Sequence, residues 1–208
     1  MIENFWVFVL AALLLNLTPG NDMLYIAARS TGQGVKAGII SALGIMVGCM
    51  VHILLAMVGL SAIIAKSALA FEIIKYIGAG YLIFLGVKAF AEKKTKFVLK
   101  DTGNSLSLNK IFWQGVLTNV LNPKVALFFL AFLPQFINMD GLNTSWQILF
   151  LGSWFNIQGT LINIIIAMLF GKIGNWLNNS PRFIVLQQRI TGIVLVGLGI
   201  KVALSSKQ

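Results

Sequence analysis

The chain has 208 residues, of which 58% are hydrophobic and 11% are charged, and its formal net charge is +10. Soluble domains carry about 25% charged residues, so this composition excludes an ordinary soluble domain and predicts a protein that crosses a membrane several times. The basic residues lie in short segments between apolar runs, which is typical of topology determinants, and we therefore exclude nucleic-acid binding.

Six apolar runs follow one another along the chain, and each is close to the length of about 20 residues that crosses a bilayer. We expect the first to be a retained span, because no basic residue precedes it and no small-residue cleavage site follows. The basic segment 91–110 separates residues 1–90 from residues 111–208 within a single transmembrane domain of residues 1–208. The predicted helices are 5–26, 37–64, 69–90, 111–136, 146–170 and 183–204.

The first predicted helix is interrupted at Asn16-Leu17-Thr18-Pro19-Gly20-Asn21-Asp22. Thr before Pro is a helix-start signal, so we expect Thr18 to act as N-cap and Pro19 as the first helical residue. A helix that stops and restarts inside the hydrocarbon layer leaves backbone groups unpaired, which is tolerated only where protein or a water-lined cavity satisfies them.

The fourth predicted helix carries the same interruption at Asn119-Val120-Leu121-Asn122-Pro123-Lys124, with Asn122 as expected cap and Pro123 as first helical residue. Two broken helices in corresponding halves indicate the binding site of a transporter. Each restart presents unpaired N–H groups and about half a positive charge, which suits a carboxylate. Two ordinary proline kinks are the alternative. The predicted substrate-binding residues are Asn16, Thr18, Pro19, Gly20, Asp22, Asn119, Asn122, Pro123 and Lys124.

The two sets of three spans resemble each other. Because three is odd, the second set enters the membrane from the opposite face, so the sequence predicts an all-α fold of six transmembrane helices in a 3+3 inverted repeat. Lys and Arg are concentrated in and beside the odd-numbered predicted loops, which places those loops in the cytoplasm and both termini outside. Matched positions are Pro19 with Pro123, Gly48 with Gly159, His52 with Asn163, and Leu85-Gly86-Val87-Lys88 with Leu198-Gly199-Ile200-Lys201.

Asp22 is the one carboxylate so far inside an apolar run. It is a candidate for binding a substrate ammonium, for carrying a coupling proton, or for both. The structural alternative is an ion pair with Arg29, which lies on the same helix face, or with Lys124 across the repeat. Lys124 in turn is a candidate for contacting a substrate carboxylate directly or for acting as the counter-ion of Asp22.

Further polar residues lie within the second and fifth predicted spans. His52 is the one histidine of the chain and is a candidate ion-coupling residue, although a hydrogen bond between helices is the favoured interpretation. Asn156, Gln158 and Asn163 are expected to face the protein interior, either as links between helices or as cavity lining.

Three groups of motifs occur along the chain. They are Asn16-Leu17-Thr18-Pro19-Gly20 with Asp22-Met23-Leu24-Tyr25, Arg29-Ser30 and Gly34, then Gly80-Tyr81-Leu82 with Leu85-Gly86, and Asn122-Pro123-Lys124 followed by Phe128-Phe129 and Phe132-Leu133-Pro134-Gln135-Phe136. In these motifs the chain resembles the LysE/RhtB family of amino-acid exporters, and the resemblance covers essentially its whole length. Asn21 stands where many members of that family have a second Pro.

The resemblance implies an exporter of amino acids or close derivatives in the bacterial inner membrane, driven by proton antiport. Its expected partners are a small zwitterionic substrate, the proton and membrane lipid, and the choice between a monomer and a homodimer stays open. An ion or solute channel, a metal-ion exporter of the same superfamily, and a membrane-embedded enzyme or structural subunit are the rivals. The sequence has no Cys or His cluster with metal-ligand spacing and no catalytic arrangement, so we expect no enzyme, metal or cofactor.

Overall fold

The computed structural model describes residues 5–60, 68–91, 106–138, 143–179 and 181–204. The described residues form α-helices joined by short turns and include no β-strand, which confirms the all-α prediction. Most of the predicted basic linker 91–110 lies outside the described residues. The α-helices are α1 Phe5–Leu17, α2 Asn21–Leu55, α3 Ala68–Ala91, α4 Leu108–Val120, α5 Pro123–Leu127, α6 Thr144–Asn179 and α7 Pro181–Leu204.

The first predicted break lies between α1 and α2. The backbone N–H of Thr18 donates to the Leu14 carbonyl at 3.0 Å, as in the last turn of a helix, and Pro19 has no N–H with which to continue that pattern. The Thr18 hydroxyl also donates to the Leu14 carbonyl, at 2.7 Å. α2 begins after Gly20, which supplies no side-chain cap. The prediction that Thr18 caps the second half-helix and Pro19 opens it is therefore wrong, because Thr18 belongs to the end of α1.

α2 contains one residue outside the helical region, Gly34, with φ 84° and ψ 172°. Glycine alone adopts such a conformation readily. A Cβ added to Gly38 would lie 3.0 Å from the Ser30 Cβ, although eight residues of straight helix span about 12 Å. The chain therefore folds back on itself at Gly34. The loop predicted at 27–36 is wrong in its extent, because the residues on both sides of Gly34 are helical.

The second predicted break lies between α4 and α5 and is confirmed as predicted. The Asn122 side chain accepts a 3.0 Å hydrogen bond from the Lys124 backbone N–H, and Pro123 stands at the start of α5. The chain continues through a π-helical turn, Phe128–Phe132, and a 3₁₀ turn, Leu133–Phe136. The helix axis bends by 44° at this break.

By length and composition, two helical segments of the described residues are apolar enough to cross a membrane, namely Asn21–Gly59 and Thr144–Gly174, and the reversal at Gly34 divides the first of them. The bent pair Leu108–Val120 and Pro123–Phe136 counts as a third if it forms one span. These segments place the protein in a membrane, whereas the six-span inverted repeat stays a prediction.

α2 lies at the centre of the described fold and packs against α4 on one side and α6 on the other, while α3 pairs with α7. Glycines allow the closest approach. A Cβ added to Gly44 of α2 would clash with the Phe112 carbonyl of α4, and one added to Gly48 would lie 2.8 Å from the Asn119 Cβ. α2 and α4 are thus held in near backbone contact beside the second break.

Candidate functional site

A cavity lies between the two helix breaks, and its wall combines residues from α1, α2, α4, α5 and α6. The structure therefore brings the polar residues of both breaks and of the fifth predicted span to one place. The predicted residues that line this cavity are Asn16, Thr18, Asp22, Asn119, Lys124, Asn156 and Asn163.

The remaining lining residues were not predicted. Thr160 shares a helix face with Asn156 and Asn163, four and three positions away, and that spacing was a usable signal. The others are apolar or small residues inside apolar runs, where nothing in the sequence separates a cavity wall from ordinary packing. The unpredicted lining residues are Met23, Ile45, Cys49, Val125, Phe155, Gly159 and Thr160.

The free volume open to the centres of water molecules is about 30 Å³. One water needs about 10–15 Å³ on this measure, so the cavity has room for a few waters. A larger ligand, such as a whole amino acid, requires the walls to move apart.

Asp22 connects the two breaks directly. The Asn119 side-chain amide donates to Asp22 Oδ2 at 2.8 Å, while Asp22 Oδ1 and Asn119 Oδ1 are buried without a hydrogen-bond partner. In the described part of the chain, Asp22 forms no ion pair with Arg29 or Lys124. A buried carboxylate oxygen without a partner is costly and leaves an acceptor for a ligand.

Lys124 of α5 reaches across to the end of α1. Its Nζ donates to the Thr18 carbonyl at 2.8 Å and to the Leu15 carbonyl at 3.2 Å. These carbonyls lie at the end of α1, where the helix carries a negative partial charge. The Leu15 carbonyl also accepts from the Thr18 backbone N–H at 3.1 Å. Lys124 forms no ion pair with Asp22 within the described residues, and its contact with a substrate carboxylate stays a prediction.

Four predicted site residues shape the breaks but do not line the cavity. The Asn122 side-chain oxygen caps α5, while its Nδ2 is buried without a hydrogen-bond partner. Pro123 is exposed on the surface and Pro19 is half-buried. Gly20 lies under Lys124, since an added Cβ would lie 3.2 Å from Nζ. These residues set the backbone path at the breaks, and their substrate-binding role stays a prediction.

His52 lies beside the site rather than in its wall. Its Nε2 is 2.9 Å from the Asn119 carbonyl oxygen, and its ring stacks on Phe129 with centroids 6.1 Å apart. Because a carbonyl accepts, Nε2 is the donor in this bond. The favoured interpretation, a hydrogen bond between helices, is confirmed, and the ion-coupling role stays a prediction.

Some polar residues of α6 form hydrogen bonds to neighbouring helices, and some line the cavity. Asn156 lines the cavity and also donates to the Met46 carbonyl of α2 at 3.1 Å. Gln158 lies outside the cavity wall and donates to the Val9 carbonyl of α1 at 3.4 Å. Asn163 lines the cavity.

Two apolar clusters enclose the cavity along α6. The first, called the aromatic cluster, reaches the wall at Phe155, whose ring stacks on Phe128 with centroids 4.2 Å apart. The second, called the aliphatic cluster, reaches the wall at Ile45. The aromatic cluster contains Phe8, Phe128, Phe129, Phe132, Phe136 and Phe155, and the aliphatic cluster contains Ile26, Ala27, Ala42, Ile45, Ile162, Ile166, Ala167 and Phe170.

A polar network joins α2 to α4 on the side of the aliphatic cluster. Arg29 donates to Gln114 at 3.1 Å and to Gln33 at 3.2 Å. The Tyr25 hydroxyl donates to the Ile111 carbonyl at 2.8 Å. These contacts connect the two halves of the chain, so they must break if the halves separate on this side.

Among the described residues, no group of three or more His, Cys, Asp and Glu side chains is arranged to hold a metal ion. The cavity offers one carboxylate, one ammonium, amides and backbone carbonyls beside an apolar wall. This chemistry suits a small molecule that carries both charges and an apolar part.

The chain is similar to known membrane proteins over almost its full length. A family model described as LysE type translocator matches residues 13–206. The uncharacterized membrane protein YrhP of Bacillus subtilis (strain 168) is 38% identical over 98% of this chain and 100% of its own length. A leucine efflux protein of Enterobacter sp. (strain 638) is 27% identical over 97% of this chain and 96% of its own length. No solved structure matches the chain.

Proposed function

Because the chain belongs to the LysE type translocator family, we propose that it exports amino acids across the bacterial cytoplasmic membrane in exchange for protons. The observation that carries this proposal is that both helix breaks contribute to one shared cavity, with Asp22, Asn119 and Lys124 in its wall. A zwitterion needs partners of both signs close together, and this cavity supplies them away from bulk water.

The proposed binding pose follows from the unused groups of the site. The substrate ammonium faces Asp22, whose Oδ1 is buried without a partner, and the carbonyls that end α1. The substrate carboxylate faces the first turn of α2, because Gly20 leaves that turn without a side-chain cap and helix N-termini favour anions.

The apolar wall supports an aliphatic amino acid as the substrate. Met23, Ile45, Val125 and Phe155 face the cavity, and burying one aliphatic side chain against such residues contributes about 1.5–3 kcal/mol. The leucine efflux proteins among the relatives carry the same substrate class in their name. Leucine is therefore the first substrate to test.

The proposed architecture is the 3+3 inverted repeat, and the α3–α7 contact supports it. A Cβ added to Gly86 of α3 would lie 2.6 Å from Val196 Cγ2, and one added to Gly199 of α7 would lie 2.6 Å from Ile83 Cγ1. Exchanging the halves maps each contact onto the other, as a two-fold relationship requires. The matched pairs are Gly86 with Gly199, Ile83 with Val196, and Ala79 with Gly192, each 113 positions apart.

A second, similar contact supports the same architecture next to the cavity. Gly48 of α2 packs on Asn119, four residues before Pro123, and its counterpart Gly159 of α6 packs on Asn16, three residues before Pro19, within 2.9 Å of an added Cβ in both cases. Each contact joins a helix of one half to the broken helix of the other. The two halves are thus proposed to rock against each other around the cavity.

In the proposed cycle the two clusters open in turn. Parting of the aliphatic cluster and the Arg29 network admits substrate from the cytoplasm, since Arg29 lies in the first predicted cytoplasmic loop. Parting of the aromatic cluster then releases it outside. Asp22 carries the proton on the return, because it is the carboxylate in the cavity wall, while His52 and Lys124 are the titratable groups near it.

Proteoliposomes that contain the purified protein test this function. Radiolabelled leucine loaded inside should leave faster when the external buffer is acidified, and its rate should saturate with concentration. Unlabelled leucine in the external buffer should accelerate the exit of labelled leucine. Efflux that rises linearly with concentration would favour a channel. If the protein produced no flux of any amino acid, that result would contradict the proposal.

A further inference from the structure

We propose that the Lys124 ammonium is a built-in replacement for the substrate ammonium. In the empty protein it occupies the α1 carbonyls at which the substrate ammonium binds, it leaves when substrate enters, and it returns when substrate is released. This inference rests on the proposed export function and adds a reason why the empty protein can complete its cycle.

The position of Lys124 is the first argument. A lysine ammonium and an amino-acid ammonium present the same three N–H donors. Lys124 Nζ uses them on the carbonyls of Thr18 and Leu15, at 2.8 Å and 3.2 Å. Both residues are buried, with 0% and 1% of their surface exposed, so water does not compete freely for these acceptors.

The unused groups of the cavity are the second argument. Lys124 has no carboxylate partner within the described residues, although Asp22 in the same wall has an unpaired oxygen. A lysine whose only role was charge neutralisation would pair with that carboxylate. Lys124 instead binds backbone carbonyls, and the oxygen of Asp22 stays available for a second cation.

The size of the cavity is the third argument. With about 30 Å³ open to the centres of water molecules, the cavity has room for a few waters but not for a whole amino acid beside Lys124. In the proposed cycle the substrate displaces Lys124, whose ammonium then becomes available to the substrate carboxylate.

The replacement has a consequence for transport. Carbonyls at a helix break inside the bilayer are costly when nothing binds them. The loaded protein satisfies them with substrate, and the empty protein satisfies them with Lys124. Without the ammonium, the protein should move readily only when loaded, and it should exchange substrate across the membrane without net export.

Lys124→Met removes the ammonium and keeps the length of the side chain. In proteoliposomes, net efflux into leucine-free buffer should fall by at least about tenfold more than the exchange of labelled for unlabelled leucine does, as expected for one charge-assisted hydrogen bond. Lys110→Met, at an exposed position of α4, is the matched control and should change neither rate.

Lys124→Gln guards against a folding failure of the first variant, because its amide can still donate to a carbonyl but carries no charge. In this variant too, net efflux should fall more than exchange does. Equal loss of both rates in the folded variants, or unchanged net efflux, would overturn the inference and leave the proposed function standing. Absence of both rates in the unaltered protein would overturn the proposed function itself.

Discussion

The side-chain amide of Asn119 donates a 2.8 Å hydrogen bond to the carboxylate of Asp22. This bond joins the end of α4 to the first turn of α2, so it connects the two helix breaks through the cavity wall. Any movement that separates the halves at this point changes the environment of Asp22. A carboxylate in that position is suited to couple proton binding to movement.

Asp22→Asn should abolish proton-driven export, because the amide has the same shape and cannot carry a proton. We expect leucine efflux driven by external acid to fall by at least about tenfold, the range of one acid–base or charge-assisted contact. Efflux from proteoliposomes under an imposed pH difference measures this. Glu72→Gln, which alters a carboxylate paired with Lys75 on α3, is the control. Intact acid-driven efflux in the Asp22 variant would contradict the coupling role.

Gly86→Ala and Gly199→Ala should destabilise the protein by similar amounts, because each added Cβ meets the backbone and side chain of the partner helix. The expected cost is about 1–3 kcal/mol each. Gly80→Ala and Gly197→Ala lie on the same helices with nothing within 4 Å and should change little. Thermal unfolding in detergent compares the four variants. If Gly197→Ala destabilised the protein as much as Gly199→Ala does, that result would argue against the reciprocal packing of α3 and α7.

Gly34→Ala should destabilise the fold-back within α2. With φ 84° and ψ 172°, this position lies where a non-glycine residue costs about 1–3 kcal/mol. Gly32→Ala, two residues earlier with nothing within 4 Å, should be neutral or slightly stabilising because Ala favours helix. The yield and unfolding temperature of the two variants measure the difference. Equal behaviour would mean that the chain does not need glycine at the reversal.

The two breaks show what local sequence predicts and where it fails. Asn122 caps α5 as expected, because its short side chain bonds the N–H two residues later and Pro123 has the fixed φ of a first helical residue. Thr18-Pro19 carries the same signal but is followed by Gly20. There the Thr hydroxyl bonds back to Leu14, and the restart moves beyond Gly20.

The partners of Lys124 could not be predicted from sequence. They are backbone carbonyls 106 and 109 positions away, and every residue has a carbonyl, so no side-chain pattern marks them. Thr160 could have been predicted as a lining residue, because it shares a helix face with Asn156 and Asn163. The extent of the helix around Gly34 could not be predicted. The polar residues Arg29 and Gln33 indicate a loop, but they form hydrogen bonds within α2, to α4 and to the residue that precedes α4 by two positions.

The central claim is that the amino acid binds in the cavity between the two breaks, and Cys49 provides a direct probe of it. Cys49 is the one cysteine of the chain, it is buried, and it lines this cavity. The measurement is the rate at which a maleimide alkylates it, with and without transported leucine. At ten times the half-saturating concentration the rate should fall about tenfold, whereas an amino acid that is not transported should have no effect. An unchanged alkylation rate, under conditions in which the same protein transports leucine, would contradict the account.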